Sequence, residues 1–110
     1  MESILNSIKK LLGIAEDYTV FDTDLIIHIN SVLSILTQLG VGPPEGFSIE
    51  GPEDEWISFV DDSKVQMVRT YVYMKVRLVF DPPSSSAVIK SMEDSIKEYE
   101  WRLNVAVDPA

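Results

Sequence analysis

Few side chains in this sequence are suited to chemistry, and none of them has the partners that a reaction needs. His28 is the only histidine, and Asp24 lies four residues before it, so that on a helix the carboxylate would orient the imidazole. No cysteine and no second histidine is present to complete a metal site. The serines at 84–86 follow two prolines, a context that favours helix caps over nucleophiles. The sequence therefore predicts a protein that is not an enzyme.

An acidic segment, residues 41–62, offers a second kind of site, one for a cation. It carries seven acids and no lysine or arginine, and five of the acids form two clusters: Glu53, Asp54, Glu55, Asp61 and Asp62. Calcium loops place oxygen ligands at alternate positions around a glycine. Here the glycines precede these acids and two aromatic residues interrupt them. We therefore interpret the segment as a solvated acidic loop, and we predict no metal site and no cofactor.

The composition is that of a globular protein. The 110 residues fit one domain, residues 1–110, and 45% hydrophobic with 25% charged residues is an ordinary globular balance. The formal net charge of -9 would repel nucleic-acid phosphates, which excludes a conventional DNA- or RNA-binding domain. No signal-peptide pattern and no long apolar run is present, so we expect a soluble protein.

Two helices are predicted before the acidic segment. Ser3 is placed to cap the first helix, and Gly13 is placed to end it. The second helix begins at Asp22, whose carboxylate suits a helix N-terminus, and it stops at Gly40. Its apolar residues recur at helical spacing and share one face: Leu25, Ile29, Val32, Leu33, Leu36 and Leu39.

Two more helices are predicted after the acidic segment. The third runs from residues 61–62 to about Phe80 and is apolar over more than half its circumference, so it needs cover on two sides. A buried strand over residues 71–80 is the alternative, because this part is rich in β-branched residues. Two prolines end the third helix, and a serine caps the fourth, which ends near Asn104. The predicted fold class is all-α: a four-helix subunit with a long acidic loop or small hairpin between helices 2 and 3.

Aromatic and basic residues are the candidates for contacts with other proteins. Trp101 falls on the charged side of the fourth helix, where a large aromatic residue anchors an interface or covers the edge of a core. Trp56, in the acidic segment, ties the loop to the bundle or to a partner. Arg69, Lys75 and Arg77 of the third helix lie on different sides and form no stripe for a phosphate backbone. We expect them to pair with acids of neighbouring segments or subunits.

Several stretches of the chain carry a recognisable pattern. They are a short first helix ending in LLGI, then FDTDLIIHINSVLSILTQLGVG, a loop with FSIEG and a tryptophan, and VQMVRTYVYMKVRLVFDPPSSSAVIKSMEDSIKEYEWRLN. Together they cover nearly the whole sequence. The pattern resembles the small head-tail connector (head-completion adaptor) proteins of long-tailed bacteriophages and their prophages. The resemblance rests on helix pattern and not on a catalytic motif.

The resemblance implies a small all-helical subunit without enzymatic activity or cofactor. Such subunits form a ring, usually twelve-fold, beneath the portal of a DNA-filled capsid. The ring extends the DNA channel and gives the stopper or tail-completion protein a docking surface. The expected partners are further copies of the chain, the portal protein, the stopper or tail-completion protein and passing genomic DNA without specific binding, and no membrane. The expected location is the head-tail interface of the virion, and the host cytoplasm during assembly.

The acids of the loop suit such a channel, because acidic walls let DNA pass without sticking. The candidates for the channel lining are Glu50, Glu53, Asp54 and Glu55. The candidates for the subunit interface are Trp56, Arg69, Lys75, Arg77 and Trp101. The alternative function is a monomeric acidic protein-binding module or DNA mimic, which presents the carboxylates of residues 45–62 to a basic protein surface.

Overall fold

The protein is a bundle of helices. A computed structural model describes residues 2–107, in which five helices follow one another: α1 (Ile4–Leu12), α2 (Asp22–Gln38), α3 (Trp56–Phe59), α4 (Val65–Phe80) and α5 (Ser86–Val107). A 3₁₀ turn at Asp62–Lys64 leads into α4. The described residues form no strand, only an isolated antiparallel bridge between Ser3 and Glu55. The predicted all-α class is confirmed: α1, α2, α4 and α5 correspond to the four predicted helices, and α3 is an additional single turn.

Local sequence determines both ends of α1. Ser3 caps its start, since the Ser3 hydroxyl accepts a hydrogen bond from the backbone N–H of Asn6 (3.2 Å). Gly13 ends the helix with a φ of 82°, a left-handed conformation that glycine adopts at little cost. The predicted capping residue of α2 is wrong by one position. Phe21 occupies the N-cap, and Asp22 lies in the first turn, where its charge still favours the helix dipole.

Helix α4 lies at the centre of the bundle. It packs against α1, α2 and α5, which explains why its sequence is apolar over more than half of its circumference. Four of its residues, Val68, Tyr71, Val72 and Val76, are completely buried. Val79 continues the same apolar pattern but is 66% exposed, so the cover does not reach the last turn of α4. The strand alternative for residues 71–80 is wrong, since all ten are helical.

The acidic segment is packed onto the bundle. Five of its apolar side chains are buried: Val41, Ile49, Trp56, Phe59 and Val60. The side-chain amide of Asn30 in α2 holds it, donating to the carbonyl of Ile49 (3.0 Å) and accepting from the N–H of the same residue (2.7 Å). The interpretation as a solvated loop is therefore correct for most of its carboxylates, and of the two roles expected for Trp56 the structure shows attachment of the loop to the bundle.

Helix α5 lies along one flank of α4. Among its described side chains, Ile96 and Leu103 are the buried ones, because the helix meets the bundle through one narrow face. Its end is held where the side-chain amide of Asn104 donates to the carbonyl of Leu39 (3.2 Å), just beyond α2. The subunit is flat, with principal extents of 43 × 35 × 20 Å. None of the described helices has both the length and the apolar character needed to cross a membrane.

One side-chain hydrogen bond joins the buried Tyr71 of α4 to the half-buried Glu100 of α5. The Tyr71 hydroxyl donates to the Glu100 carboxylate (2.7 Å). Burial first, and then the bond to this carboxylate, raises the pKa of Tyr71 above its usual value. A raised pKa means that folding favours the neutral phenol. The stability from this contact is therefore present below the unfolded pKa of about 10 and is lost as the pH rises above it.

Tyr71→Phe is expected to lower the free energy of unfolding by about 1–2 kcal/mol at neutral pH, because a hydrogen bond to a carboxylate is removed. Urea denaturation of both proteins at a series of pH values measures this difference. We expect the difference between the wild type and Tyr71→Phe to shrink as the pH rises above about 10. A difference that stays constant across that range would contradict the role assigned to the phenol.

Candidate assembly interface

The acids predicted to line a channel have different surroundings. Glu50 and Glu53 are exposed, whereas Asp54 is turned back to the chain. The Asp54 carboxylate accepts hydrogen bonds from the backbone N–H groups of Glu50 (2.8 Å) and Gly51 (3.4 Å), and so stabilises the turn. The half-buried Glu55 lies at the backbone bridge to residue 3. Of the four acids, Glu50 and Glu53 are therefore the best placed to face a channel or a partner.

Trp56 belongs to the core of the subunit. Its side chain is 1% exposed, and its indole N–H donates to the Ser7 hydroxyl of α1 (2.7 Å). The Ser7 hydroxyl donates in turn to the carbonyl of Ile4 (3.1 Å), so these buried polar groups are paired. An enclosed side chain has no surface to offer a second subunit, and we remove Trp56 from the candidate interface. Helix α3, which carries Trp56 inward, is too short to be predicted from periodicity.

The basic candidates on α4 differ in their partners. Arg69 forms an ion pair with Glu2 of the same subunit. Arg77 donates to the Tyr73 hydroxyl one turn earlier in α4 (2.9 Å). Lys75 lies in a groove between α4 and α5 and forms no ion pair within the described part of the chain. Arg69 therefore pairs with a neighbouring segment, one of the two kinds of partner predicted for it, and Lys75 is left available to another subunit.

The groove between α4 and α5 has a volume of about 490 Å³. It is lined by Lys75, Leu78, Val79, Glu93, Ile96, Lys97 and Glu100. Two lysines and two glutamates share this lining, and Tyr71 already donates to one of the glutamates. Because its charges balance, the groove favours neither an acidic nor a basic partner.

Trp101 is exposed on the side of α5 that faces away from the bundle. Its side chain is 67% exposed, and Val105, one turn later, is 50% exposed. The ion pair between Glu98 and Arg102 (2.7 Å) lies on the same part of the helix. Trp101 therefore stays a predicted interface residue, because the subunit leaves its large aromatic side chain uncovered.

Trp101→Ala is expected to leave the melting temperature of the subunit within about 2 °C of the wild type, because the side chain buries little surface there. The same change is expected to weaken association between copies, or with the portal protein, by about tenfold or more, since aromatic anchors dominate interface energies. Differential scanning fluorimetry and sedimentation velocity measure the two effects. A large loss of thermal stability would instead place Trp101 in the core.

A second exposed apolar surface, on the connection between α1 and α2, was not predicted. It comprises Tyr18 (49% exposed), Val20 (70%) and Phe21 (37%). Phe21 packs edge-on against Phe80 at the end of α4, with ring centroids 5.2 Å apart. The signal in the sequence was YTVF, three large apolar residues among four in a connection between helices. Because these residues follow neither helical nor strand periodicity, the sequence does not indicate whether they are buried.

A buried ion pair was also missed. Lys9 is completely buried, and its Nζ atom lies 2.8 Å from Oδ1 of Asp22 and donates to the carbonyl of Glu16 (3.0 Å). The ammonium group thus joins the end of α1 to the start of α2. In the sequence Lys9 stands beside Lys10 in the last turn of a helix, a position where exposed lysines are usual, so nothing there indicated burial.

The charges are divided between two halves of the subunit. Residues 11–63, which run from the end of α1 through α2 and α3, contain eleven acids and no lysine or arginine. Residues 64–107, which form α4 and α5, contain seven basic and five acidic residues. One part of the surface is therefore strongly negative, while most of the positive charge lies on α4 and α5.

Within residues 2–107, no group of three or more histidine, aspartate or glutamate side chains is placed to hold a metal ion. His28 is partly exposed on α2, and the hydrogen bonds of the described residues include none between it and Asp24. The described residues do present charged surfaces and exposed apolar side chains.

Comparison with known proteins identifies a family for the chain. The model of a family described as "Phage connector protein" matches residues 4–110. No curated protein and no solved structure matches the chain. Because the match covers almost the entire sequence, the chain belongs to the phage connector protein family.

Proposed function

We propose that this phage connector assembles into a ring beneath the portal, where it extends the DNA channel and provides the docking surface for the stopper or tail-completion protein. Its family is one of structural phage proteins, and the virion is the place where such proteins act. Beyond this family role, the proposal adds that the protein forms a ring, extends the DNA channel and provides a docking surface.

The observation that carries the proposal is the uncovered apolar surface on two different parts of one subunit. Trp101 on α5 is 67% exposed, and Val20 on the α1–α2 connection is 70% exposed. A symmetric dimer uses the same patch on both copies, whereas a ring needs two different patches on each subunit. The division of charge between residues 11–63 and residues 64–107 supports the same arrangement, because unlike patches attract when they meet head to tail.

The test is electron microscopy of the purified protein, alone and mixed with the portal protein of the same phage. We expect rings, either in the free protein or on the portal. A protein that stays monomeric with the portal present would contradict the proposal and would favour the monomeric acidic binding module. Sedimentation velocity of the same samples gives the molar mass that distinguishes the two outcomes.

A channel through which DNA passes without binding requires walls that do not neutralise phosphate. Glu50 and Glu53 are exposed acids of the acidic segment, and rotation about a ring axis would repeat each of them in every subunit. We propose these two carboxylates as channel lining. We do not propose Asp54 for this role, because its carboxylate accepts hydrogen bonds from the backbone of the turn.

Glu50→Lys combined with Glu53→Lys is expected to create DNA binding that weakens steeply with salt, because lysines release counterions from phosphates. Fluorescence anisotropy with labelled duplex DNA across a salt series measures it, and we expect negligible binding by the wild-type ring even at low salt. Asp61→Lys with Asp62→Lys is the matched control elsewhere on the acidic segment. Equal DNA binding by both double variants would show that general charge, and not a channel position, produces the effect.

A further inference from the structure

We propose that Lys9 is a positioning residue for assembly. Its buried ammonium group fixes the connection between α1 and α2 in the conformation that presents Tyr18 and Val20 to a neighbouring subunit. This inference rests on the proposed function, which uses the exposed surface on that connection as one of the two unlike patches of a ring subunit. It adds the buried group on which the contact depends.

The connection that carries this surface is exposed throughout its middle. All six residues from 15 to 20 are exposed. Ile14 before them is partly buried against the core, and Phe21 after them packs its ring against that of Phe80 in α4. Apolar contacts therefore hold the two ends of the connection, and the part between them needs another attachment.

Local hydrogen bonds shape the connection without attaching it to the bundle. The backbone N–H of Tyr18 donates to the carbonyl of Ala15 (3.1 Å), and that of Asp22 donates to the carbonyl of Thr19 (3.2 Å). These bonds close two consecutive turns. Each joins residues three apart in the chain, so neither fixes the turns relative to α1 or α4.

Lys9 supplies that attachment. Its Nζ atom donates to the carbonyl of Glu16 (3.0 Å) in the first turn, and it lies 2.8 Å from Oδ1 of Asp22, directly after the second. Among the hydrogen bonds of residues 2–107, the bond to Glu16 is the one that ties residues 15–20 to another element. The ammonium group therefore holds both turns of the connection against the last turn of α1.

Packing alone does not require a charged side chain at this position of α1. Leu5, one turn before Lys9, is completely buried, and Leu12, one turn after it, is partly buried against the core. An apolar side chain would suit the same face. Replacing a buried ion pair by apolar residues of similar volume is often neutral or stabilising. What an apolar side chain cannot provide is the hydrogen bond to the carbonyl of Glu16.

A fixed connection favours association because its surface is ordered before the partner arrives. If the connection sampled other conformations, only the fraction of subunits with Tyr18 and Val20 in place could bind. The apparent dissociation constant would then rise by the inverse of that fraction. We expect loss of the Lys9 attachment to weaken assembly about tenfold, as for a connection that is correctly placed in about a tenth of the free subunits.

The test is the double variant Lys9→Met with Asp22→Leu, which removes the attachment, keeps the volume and leaves no unpaired charge. We expect it to retain most of the wild-type stability in urea. The subunit concentration for half-maximal assembly on the portal protein of the same phage, measured by sedimentation velocity, should rise about tenfold. Hydrogen exchange should become faster over residues 15–20 and stay unchanged in α2 and α4. Lys10→Met, in the same turn but exposed, is the matched control and should change none of these measurements.

A double-mutant cycle shows whether Lys9 acts through the exposed surface. Tyr18→Ala with Val20→Ala removes that surface and is itself expected to weaken assembly about tenfold. Once the surface is absent, its position no longer matters. The four substitutions together should therefore weaken assembly about tenfold, and not by the product of two independent effects, about a hundredfold.

The outcomes separate this inference from the proposed function. Equal assembly by the wild type and the Lys9→Met, Asp22→Leu variant would overturn the role of Lys9 while the proposed function stands. So would a loss of about a hundredfold in the combined variant. Failure of the wild type to assemble with the portal protein would refute both. Lys9→Leu with Asp22→Asn carries the same expectations and replaces the first variant if that one does not fold.

Discussion

Lys9→Ala is expected to lower the free energy of unfolding by about 3–5 kcal/mol, because it leaves a partly buried carboxylate without its counter-ion. The Lys9 side chain is 1% exposed and that of Asp22 is 22% exposed, with the charged atoms 2.8 Å apart. The contact is an ion pair and not a well-directed hydrogen bond, since Oδ1 of Asp22 accepts none. The same change also takes the donor away from the carbonyl of Glu16. The end of α1 then loses its polar attachment to the start of α2.

Urea denaturation at neutral pH measures this cost, and Lys10→Ala is the matched control. Lys10 has the same side chain in the same last turn but is exposed, so its replacement should change the stability by at most about 0.5 kcal/mol. Lys9→Met combined with Asp22→Leu removes both charges and keeps the volume, and we expect it to recover most of the loss. If Lys9→Ala costs no more than Lys10→Ala, the ammonium group reaches water in solution and the pair contributes nothing.

Periodicity predicted the long helices because apolar spacing alone decides which face of them is buried. In α2, five of the six residues assigned to the core face are buried: Leu25, Ile29, Val32, Leu33 and Leu36. In α4, the breadth of the apolar surface predicted cover on more than one side, and three helices pack there. Capping residues were less certain, because Asp22 suits both an N-cap and a first turn, and only the backbone angles distinguish them.

Periodicity could not predict the burial of residues whose contacts lie far away in the sequence. Trp56 is buried in the core, and its indole N–H finds an acceptor in the hydroxyl of Ser7, 49 residues earlier. Ile49 lies in the core, where the side-chain amide of Asn30, 19 residues earlier, hydrogen-bonds to both its backbone N–H and its carbonyl. Glycine, proline and acid content correctly predicted an irregular segment there, and Trp56 was expected to attach it to the bundle or to a partner, but the sequence does not decide between these two.

In the candidate interface, too, some features follow from local sequence, whereas others depend on contacts between residues far apart in the chain. The exposure of Trp101 follows from its angular position on one helix, which the sequence contains. The partner of Arg69 is Glu2, 67 residues away, and no local pattern connects them. Tyr18 and Val20 lie in a connection that has no helical or strand periodicity. Their exposure depends on how the helices pack around that connection, which local sequence does not determine.

Trp56→Ala is expected to lower the free energy of unfolding by about 3–5 kcal/mol, through the loss of a large buried side chain and the cavity that remains. Trp101→Ala is the matched control, since it deletes the same atoms from an exposed position. Ser7→Ala should cost about 1–3 kcal/mol, because the buried indole N–H is then left without an acceptor. Urea denaturation of the three variants measures these differences. Similar costs for the two tryptophan variants would contradict the assignment of one to the core and the other to the surface.

Trp56→Ala is also expected to weaken the attachment of the whole acidic segment to the rest of the subunit. The backbone N–H of Trp56 donates to the carbonyl of Glu2 (3.2 Å), and that of Ile4 donates to the carbonyl of Asp54 (2.9 Å), so this one turn attaches the segment to the start of α1. Without the indole to hold them, these two bonds should open more often. Hydrogen exchange in Trp56→Ala is therefore expected to speed up over residues 41–62 and at the start of α1 before it does in α2 or α4. Uniform acceleration through all helices would instead mean that the segment and the bundle unfold as one unit, with Trp56 as part of a single cooperative core.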